Sequence, residues 1–228
     1  MFMKKYILLW VLCVIGSWAI TPYLWYLGFF PPEMDLTQLL WMRFAQTMIF
    51  YSVICWVAYV VVPKTDLRPF EVRDLWHQIA IPGICWGLVL GLMLFLANVL
   101  LFKTEMIGKG MPPLWARGLA SIYGGVNEEV ILRLFLFSLV YWGMGKFLRM
   151  RRRYLLWTVN LVVAVIFAGG HLPLAFSIAV PTYLQIVRII LLNAAAGLAL
   201  GFVYWNQGIW ATILAHFIAD LMIHVVLI

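Results

Sequence analysis

Seven apolar blocks divide the chain, at about residues 6–29, 38–62, 79–102, 114–142, 155–172, 183–205 and 209–227. A helix rises 1.5 Å per residue, so about 20 apolar residues cross the roughly 30 Å hydrocarbon core of a bilayer. Inside that core every backbone polar group must be paired, which leaves helices or closed barrels as the spanning structures. The blocks lack the period-2 alternation and evenly spaced turns of barrel strands. They predict an all-α fold, a polytopic transmembrane helical bundle of about seven spans. Composition agrees: 65% of the 228 residues are hydrophobic and 11% charged, against roughly 45–50% and 25% in soluble domains. A soluble fold, disorder and collagen-like repeats are excluded, and no polar stretch is large enough for a separate soluble domain. Residues 1–228 read as a single integral membrane domain.

The net charge of +7 would suggest a nucleic-acid partner if the basic residues formed a patch, but they lie in short segments between apolar blocks. They report topology instead, and the expected partner is the lipid bilayer. One set of alternate loops collects Lys4, Lys5, Lys64, Arg68, Arg73, Lys146, Arg149, Arg151, Arg152 and Arg153; the other holds Lys103 and Lys109. By the positive-inside rule the N-terminus is cytoplasmic and the C-terminus outside. Lys4 and Lys5 before an apolar run imitate a signal peptide, but the run continues to Phe30, past a signal h-region, and reads as a retained span. The basic run Arg149–Arg153 reads as a topology anchor. Cys13, Cys55 and Cys85 lie far apart in apolar blocks and read as packing residues. Gly197 and Gly201 form a small-xxx-small pair that lets another helix approach.

Ionisable side chains within spans cost at least about 2.5–3.5 kcal/mol each for Asp, Lys or Arg, which makes them functional suspects. Those left after the loop charges are removed are Arg43, Arg117, Glu128, Glu129, Arg133, His171, Arg188, His216, Asp220 and His224. Arg43 and Arg117, near span ends, are expected to snorkel to the interface. Arg188 is also near an end, with Gln185 one turn away. Glu128 and Glu129 are adjacent on a helix and diverge by about 100°, so they serve different purposes. Glu129 and Arg133 are spaced to pair on one face, which keeps the carboxylate ionised. Glu128 has no base one turn away, and Gly124 and Ser121 leave room beside it. It is equally a proton acceptor beside water-filled space or an interhelical polar contact.

His171 follows Gly169 and Gly170, which permit close backbone approach or helix opening, with Phe167 one turn earlier. Taken alone it reads as interfacial. Asp220 is one turn from His216 and is expected to orient its imidazole. His224, near the chain end, reads as interfacial. On straight helices His171 lies roughly 25 Å from Tyr154, while His216 is only about 10 Å into the last span. Tilt, a late helix start or a break at Gly169 and Gly170 would bring them level.

Glu128-Glu129-x-x-x-Arg133, Phe167-x-x-x-His171 and His216-x-x-x-Asp220, in that order on successive helices, resemble the three motifs of the CPBP family. This family comprises the type II CAAX prenyl endopeptidases and their bacterial relatives, also called Abi proteins. The resemblance covers about residues 112–222. It divides the chain into N-terminal spans without motifs, 1–111, and a motif-bearing core, 112–228. It implies an intramembrane endopeptidase in which Glu128 is the general base activating water, assisted by His171. His216 and Asp220 then stabilise the oxyanion, and Glu129, Arg133 and Phe167 support them. The last motif position is often Asn in this family; an ionised Asp220 only accepts hydrogen bonds and is expected to act through His216 as imidazolium.

No cofactor is expected. Glu, His and His could hold zinc, but without an HExxH-type close pair the ligands would come from three helices, and zinc is disfavoured. The resemblance implies a membrane-associated peptide or protein tail as substrate and a bacterial inner membrane as location. The alternatives are a non-catalytic membrane interaction or immunity protein, and a proton-coupled transporter with Glu128, His171 and Asp220 as relay. No paired broken helices in two related halves support the transporter.

Overall fold

The computed structural model describes residues 2–31, 33–102 and 111–227. Seven helical segments among them are long and apolar enough to cross a membrane: Met3–Tyr26, Thr37–Lys64, Trp76–Phe102, Leu114–Phe147, Arg152–Ile178, Tyr183–Gln207 and Ile209–Val226. They are called spans 1 to 7 below. No strand occurs among the described residues, and the protein is an integral, multi-pass helical bundle. Lys103 and Lys109, the two lysines of the sparsely charged side, lie outside the described residues.

Local chemistry sets the span ends. Span 1 stops at Gly28, whose φ of 71° lies in the left-handed region that glycine adopts without steric cost. Asp35 caps span 2 by accepting from the N–H groups of Thr37 and Gln38. Thr182 and Gln185 form a reciprocal capping box at the start of span 6. These side chains satisfy donors that a helix start leaves open. Span 5 passes through Gly169 and Gly170 and breaks one residue later: His171 ends Arg152–Gly170 and precedes Leu172–Ile178, with Pro173 in its first turn. A Cβ on either glycine would meet open space, so neither serves a close approach.

Small residues bring the site-bearing helices together. Span 7 packs most extensively on span 3, along the stripe Gly83, Gly87 and Gly91. A Cβ there would come 2.8 Å from Leu214 Cδ2, 2.6 Å from Ile218 Cβ and 2.6 Å from Met222 Cβ respectively. Without a hydrophobic force between helices in lipid, such surfaces associate through close van der Waals contact. Gly197 and Gly201 do the same for spans 5 and 6: a Cβ on Gly197 would lie 2.9 Å from Ala164 Cα, and one on Gly201 would overlap Asn160.

Asn127, fully buried in span 4, joins the front of the bundle. Its side-chain Nδ2 lies 2.7 Å from the Cys13 carbonyl, 2.9 Å from the Ser17 hydroxyl and 2.7 Å from the Tyr51 hydroxyl, and its two hydrogens serve two of these acceptors at a time. One side chain thus ties span 4 to spans 1 and 2. Arg43 does not extend to the interface as expected. It is half-buried and donates to the Ser17 carbonyl at 2.9 Å, under the Phe30 ring. Arg117 is likewise buried, with Nη1 3.1 Å from the Met111 sulfur.

The basic loops gather at one end of the bundle. Lys5 donates to the Phe70 carbonyl, Asp66 accepts from the Tyr141 hydroxyl at 2.7 Å and pairs with Arg152, and Lys64 and Lys146 both lie over the Trp142 ring. The Ile209 N–H donates to the Pro69 carbonyl at 2.9 Å, and Ile209 is fully buried. Span 7 therefore begins against the 65–75 segment.

Two predictions follow from these contacts. Replacing Asn127 by leucine removes the two hydrogens shared among the Cys13 carbonyl and the Ser17 and Tyr51 hydroxyls, and a buried group left unpaired costs about 1–3 kcal/mol. Thermal unfolding in detergent micelles should show a loss of that size. Burial pushes the Asp66 carboxyl up, but the hydrogen bonds from Tyr141 and Arg152 outweigh it and hold the group below the usual carboxylate range. Its stabilisation is complete above the ordinary Asp value near pH 4 and is lost as pH falls through the lowered folded value. The melting temperature of the wild type should drop on acidification in that window, and Asp66→Asn should flatten the drop.

Candidate active site

Span 4 departs from regular α-helical bonding where its motif begins. Gly124–Glu128 and Val130–Phe137 are π-helical, a rare, wider register found mostly as short bulges, frequently at functional sites. The two glutamates diverge as their adjacency requires. Glu129 is completely buried, whereas the Glu128 side chain is 22% exposed.

Glu129 lies between two bases. Its Oε2 is 3.2 Å from Arg133 Nε, and its Oε1 is 2.7 Å from His216 Nδ1. Arg133, also fully buried, donates through Nη2 to the Gly197 carbonyl at 3.2 Å, and its guanidinium lies 5.6 Å from the centre of the Phe167 ring. The Glu129–Arg133 pairing matches the helical spacing. The Glu129–His216 bond corrects the expectation that Asp220 orients the imidazole: Asp220 Oδ1 is 3.6 Å from the opposite nitrogen, Nε2. Glu128 Oε2 approaches that same nitrogen at 3.8 Å. One ring nitrogen is thus held by the buried carboxylate, while the other faces two partly accessible ones.

Phe167 organises the second imidazole. Its ring meets His171 edge-on at 4.7 Å and His216 edge-on at 6.0 Å between centroids. Its backbone carbonyl lies 2.8 Å from His171 Nδ1. A carbonyl only accepts, so Nδ1 carries the proton and a neutral His171 presents Nε2 as an acceptor. The four-residue spacing of Phe167 and His171 therefore has a direct bonding role.

Glu128, His171, His216 and Asp220 line one cavity of about 310 Å³, at the lower end of the range for ligand pockets. The room beside Gly124 is taken by the Asp220 carboxylate: a Cβ on Gly124 would overlap Asp220 Oδ2 and lie 3.5 Å from His216 Nε2. Ser121 does not line the cavity. It is buried and bonds the Arg117 carbonyl.

Two residues assigned to span ends also line this space. His224 is half-buried in the wall, not free at the interface. Arg188 lies in the wall with Asn98, its Nε donating to Asn98 Oδ1 at 2.5 Å across spans 6 and 3. Nearness to a span end says nothing of the face a residue occupies, and both are on the cavity side. Among the described residues no three His, Cys, Asp or Glu side chains are arranged to hold a metal ion.

Removing Arg133 would leave Glu129 as a buried carboxylate without its cation, and breaking a buried pair on one side typically costs about 3–5 kcal/mol. Arg133→Met should lower the thermal midpoint in detergent accordingly, and the double change Arg133→Met with Glu129→Gln should recover part of the loss.

The family model of Rce1-like type II CAAX prenyl endopeptidases matches residues 110–222. No curated protein and no solved structure shows a match. The matched stretch contains all three motifs, spans 4 to 6 and span 7 as far as Met222. The family is one of CAAX-type intramembrane proteases, and on this match the chain belongs to it, as a CPBP protein of the Rce1-like type.

Proposed function

We propose that the protein is a glutamic intramembrane endopeptidase that hydrolyses a peptide bond in a membrane-associated peptide or protein tail, with water as nucleophile. The whole chain works as one membrane domain, in a bacterial inner membrane. The observation that carries this reading is the convergence of Glu128, His171, His216 and Asp220 on one cavity of about 310 Å³, walled by apolar helices.

In this mechanism ionised Glu128 takes a proton from a water molecule, and the Nε2 lone pair of His171 holds the second hydrogen. The hydroxide adds to the carbonyl carbon of the scissile bond, and the carbonyl oxygen becomes an oxyanion. His216, with its Nδ1–H on Glu129, presents Nε2–H to that oxygen. Asp220 supports the protonated imidazole and makes no direct donation, since a carboxylate has no hydrogen to give. The proton on Glu128 then passes to the nitrogen of the leaving amine, the C–N bond breaks, and the carboxylate is regenerated. Glu129 and Arg133 are positioning residues: they fix the imidazole without touching the substrate. Exclusion of bulk water strengthens each of these interactions.

Glu128→Gln keeps the shape of the side chain and removes the base. It should abolish cleavage while leaving the melting temperature near that of the wild type. Proteomics comparing cells that express the two proteins should then reveal an uncut membrane precursor in the variant. Identical membrane proteomes with a normally folded variant would exclude the hydrolase and favour a binding role. His171→Gln should retain slow cleavage, because it removes an aligning acceptor and spares the base.

A further inference from the structure

Every helix that contributes to the cavity does so with the same half. Span 1 supplies Ile20 and Tyr23 from its last turns, and span 3 supplies Leu90, Leu94 and Asn98 from its second half. Span 4 contributes from Ala120 to Glu128, early in its course, and span 5 from Phe167 to Leu174, late in its own. Span 6 provides Arg188 to Ala196 and span 7 His216 to His224, again early and late. Successive spans run in opposite directions, so these alternating halves all lie at one end of the bundle. It is the end remote from Lys5, Lys64, Lys146 and Arg152.

Between the cavity and the basic end the interior is closed. Arg133 and Phe137 are fully buried, Val163 and Leu200 are 1% exposed, and Tyr204 is 2% exposed. The 65–75 segment covers the start of span 7 through the Ile209–Pro69 bond. A polypeptide arriving from the basic side meets this packed layer. The basic loops carry ten Lys and Arg residues against two in the opposite set, and such loops stay cytoplasmic.

We infer that the cavity opens toward the extracytoplasmic leaflet, and that the substrate is a membrane-anchored chain already carried across the bilayer, cut on the outer side. This rests on the hydrolase reading for the cutting but not for the orientation. A translocation reaction must therefore supply the substrate, and a tail displayed only in the cytoplasm is not one.

The test uses the full chain with Cys13, Cys55 and Cys85 replaced by alanine, and a membrane-impermeant maleimide on intact cells. His224→Cys, in the cavity wall, should be labelled in intact cells, and Lys146→Cys, at the basic end, only after permeabilisation. The reverse pattern, or no labelling of His224→Cys in either condition, overturns the proposed opening. Should the cysteine-free chain not fold, alkaline phosphatase fused after residue 228 of the unaltered chain gives the same information: activity supports the orientation and inactivity overturns it. Precursors left uncut with Glu128→Gln should carry export signals; if they expose only cytoplasmic tails, the substrate class is wrong. The labelling result does not depend on catalysis, so a failed orientation and a failed hydrolase are told apart.

Discussion

A carboxylate with no access to water sits at the centre of this molecule, and its neighbours are arranged around the need to compensate it. Glu129 is matched on one oxygen by Arg133 and on the other by His216. An ionised group buried without partners would be costly enough to prevent folding or lose its charge. The two partners come from its own helix and from the last span, so the compensation also fixes how spans 4 and 7 meet. Arg133 then reaches the Gly197 carbonyl on span 6 and the Phe167 ring on span 5. One electrostatic requirement thereby orients four helices. The partly accessible carboxylates, Glu128 and Asp220, are left in the cavity, both near Nε2 of His216.

The imidazoles owe their different characters to what holds Nδ1. In His171 it is a backbone carbonyl, which requires a proton on Nδ1. In His216 it is a carboxylate, with two more carboxylates near Nε2. One cavity thus holds two imidazoles in different surroundings, both edge-on to the Phe167 ring.

The spans were legible because length and apolarity are coarse requirements that no tertiary context alters. The charged motif residues were legible because each is too costly in lipid to be incidental. What failed was direction. Helical spacing tied His216 to Asp220, one turn away, while its close partner was Glu129, 87 residues distant on another span. Arg188 and His224 were placed by their nearness to a span end, which says nothing about which face they occupy. Asn127 gave no warning, since an amide costs less than a charge and its three partners are scattered over two other helices. The stripe Gly83, Gly87 and Gly91 carried a readable four-residue period, but only its fit against span 7 shows what it is for. The π register of span 4 has no counterpart in the order of its residues.

That glycine stripe has a consequence for what the minimal working unit can be. The family match begins at residue 110, yet the face of span 7 bearing Ala215 and Ala219 rests directly on Gly87 and Gly91. Span 3 also closes the cavity with Leu90, Leu94 and Asn98. A fragment trimmed to the matched stretch would lack this wall, and acyl chains would reach the cavity. Spans 1 and 3, which contain no motif, are thus part of the dam that keeps hydrocarbon out of the chamber.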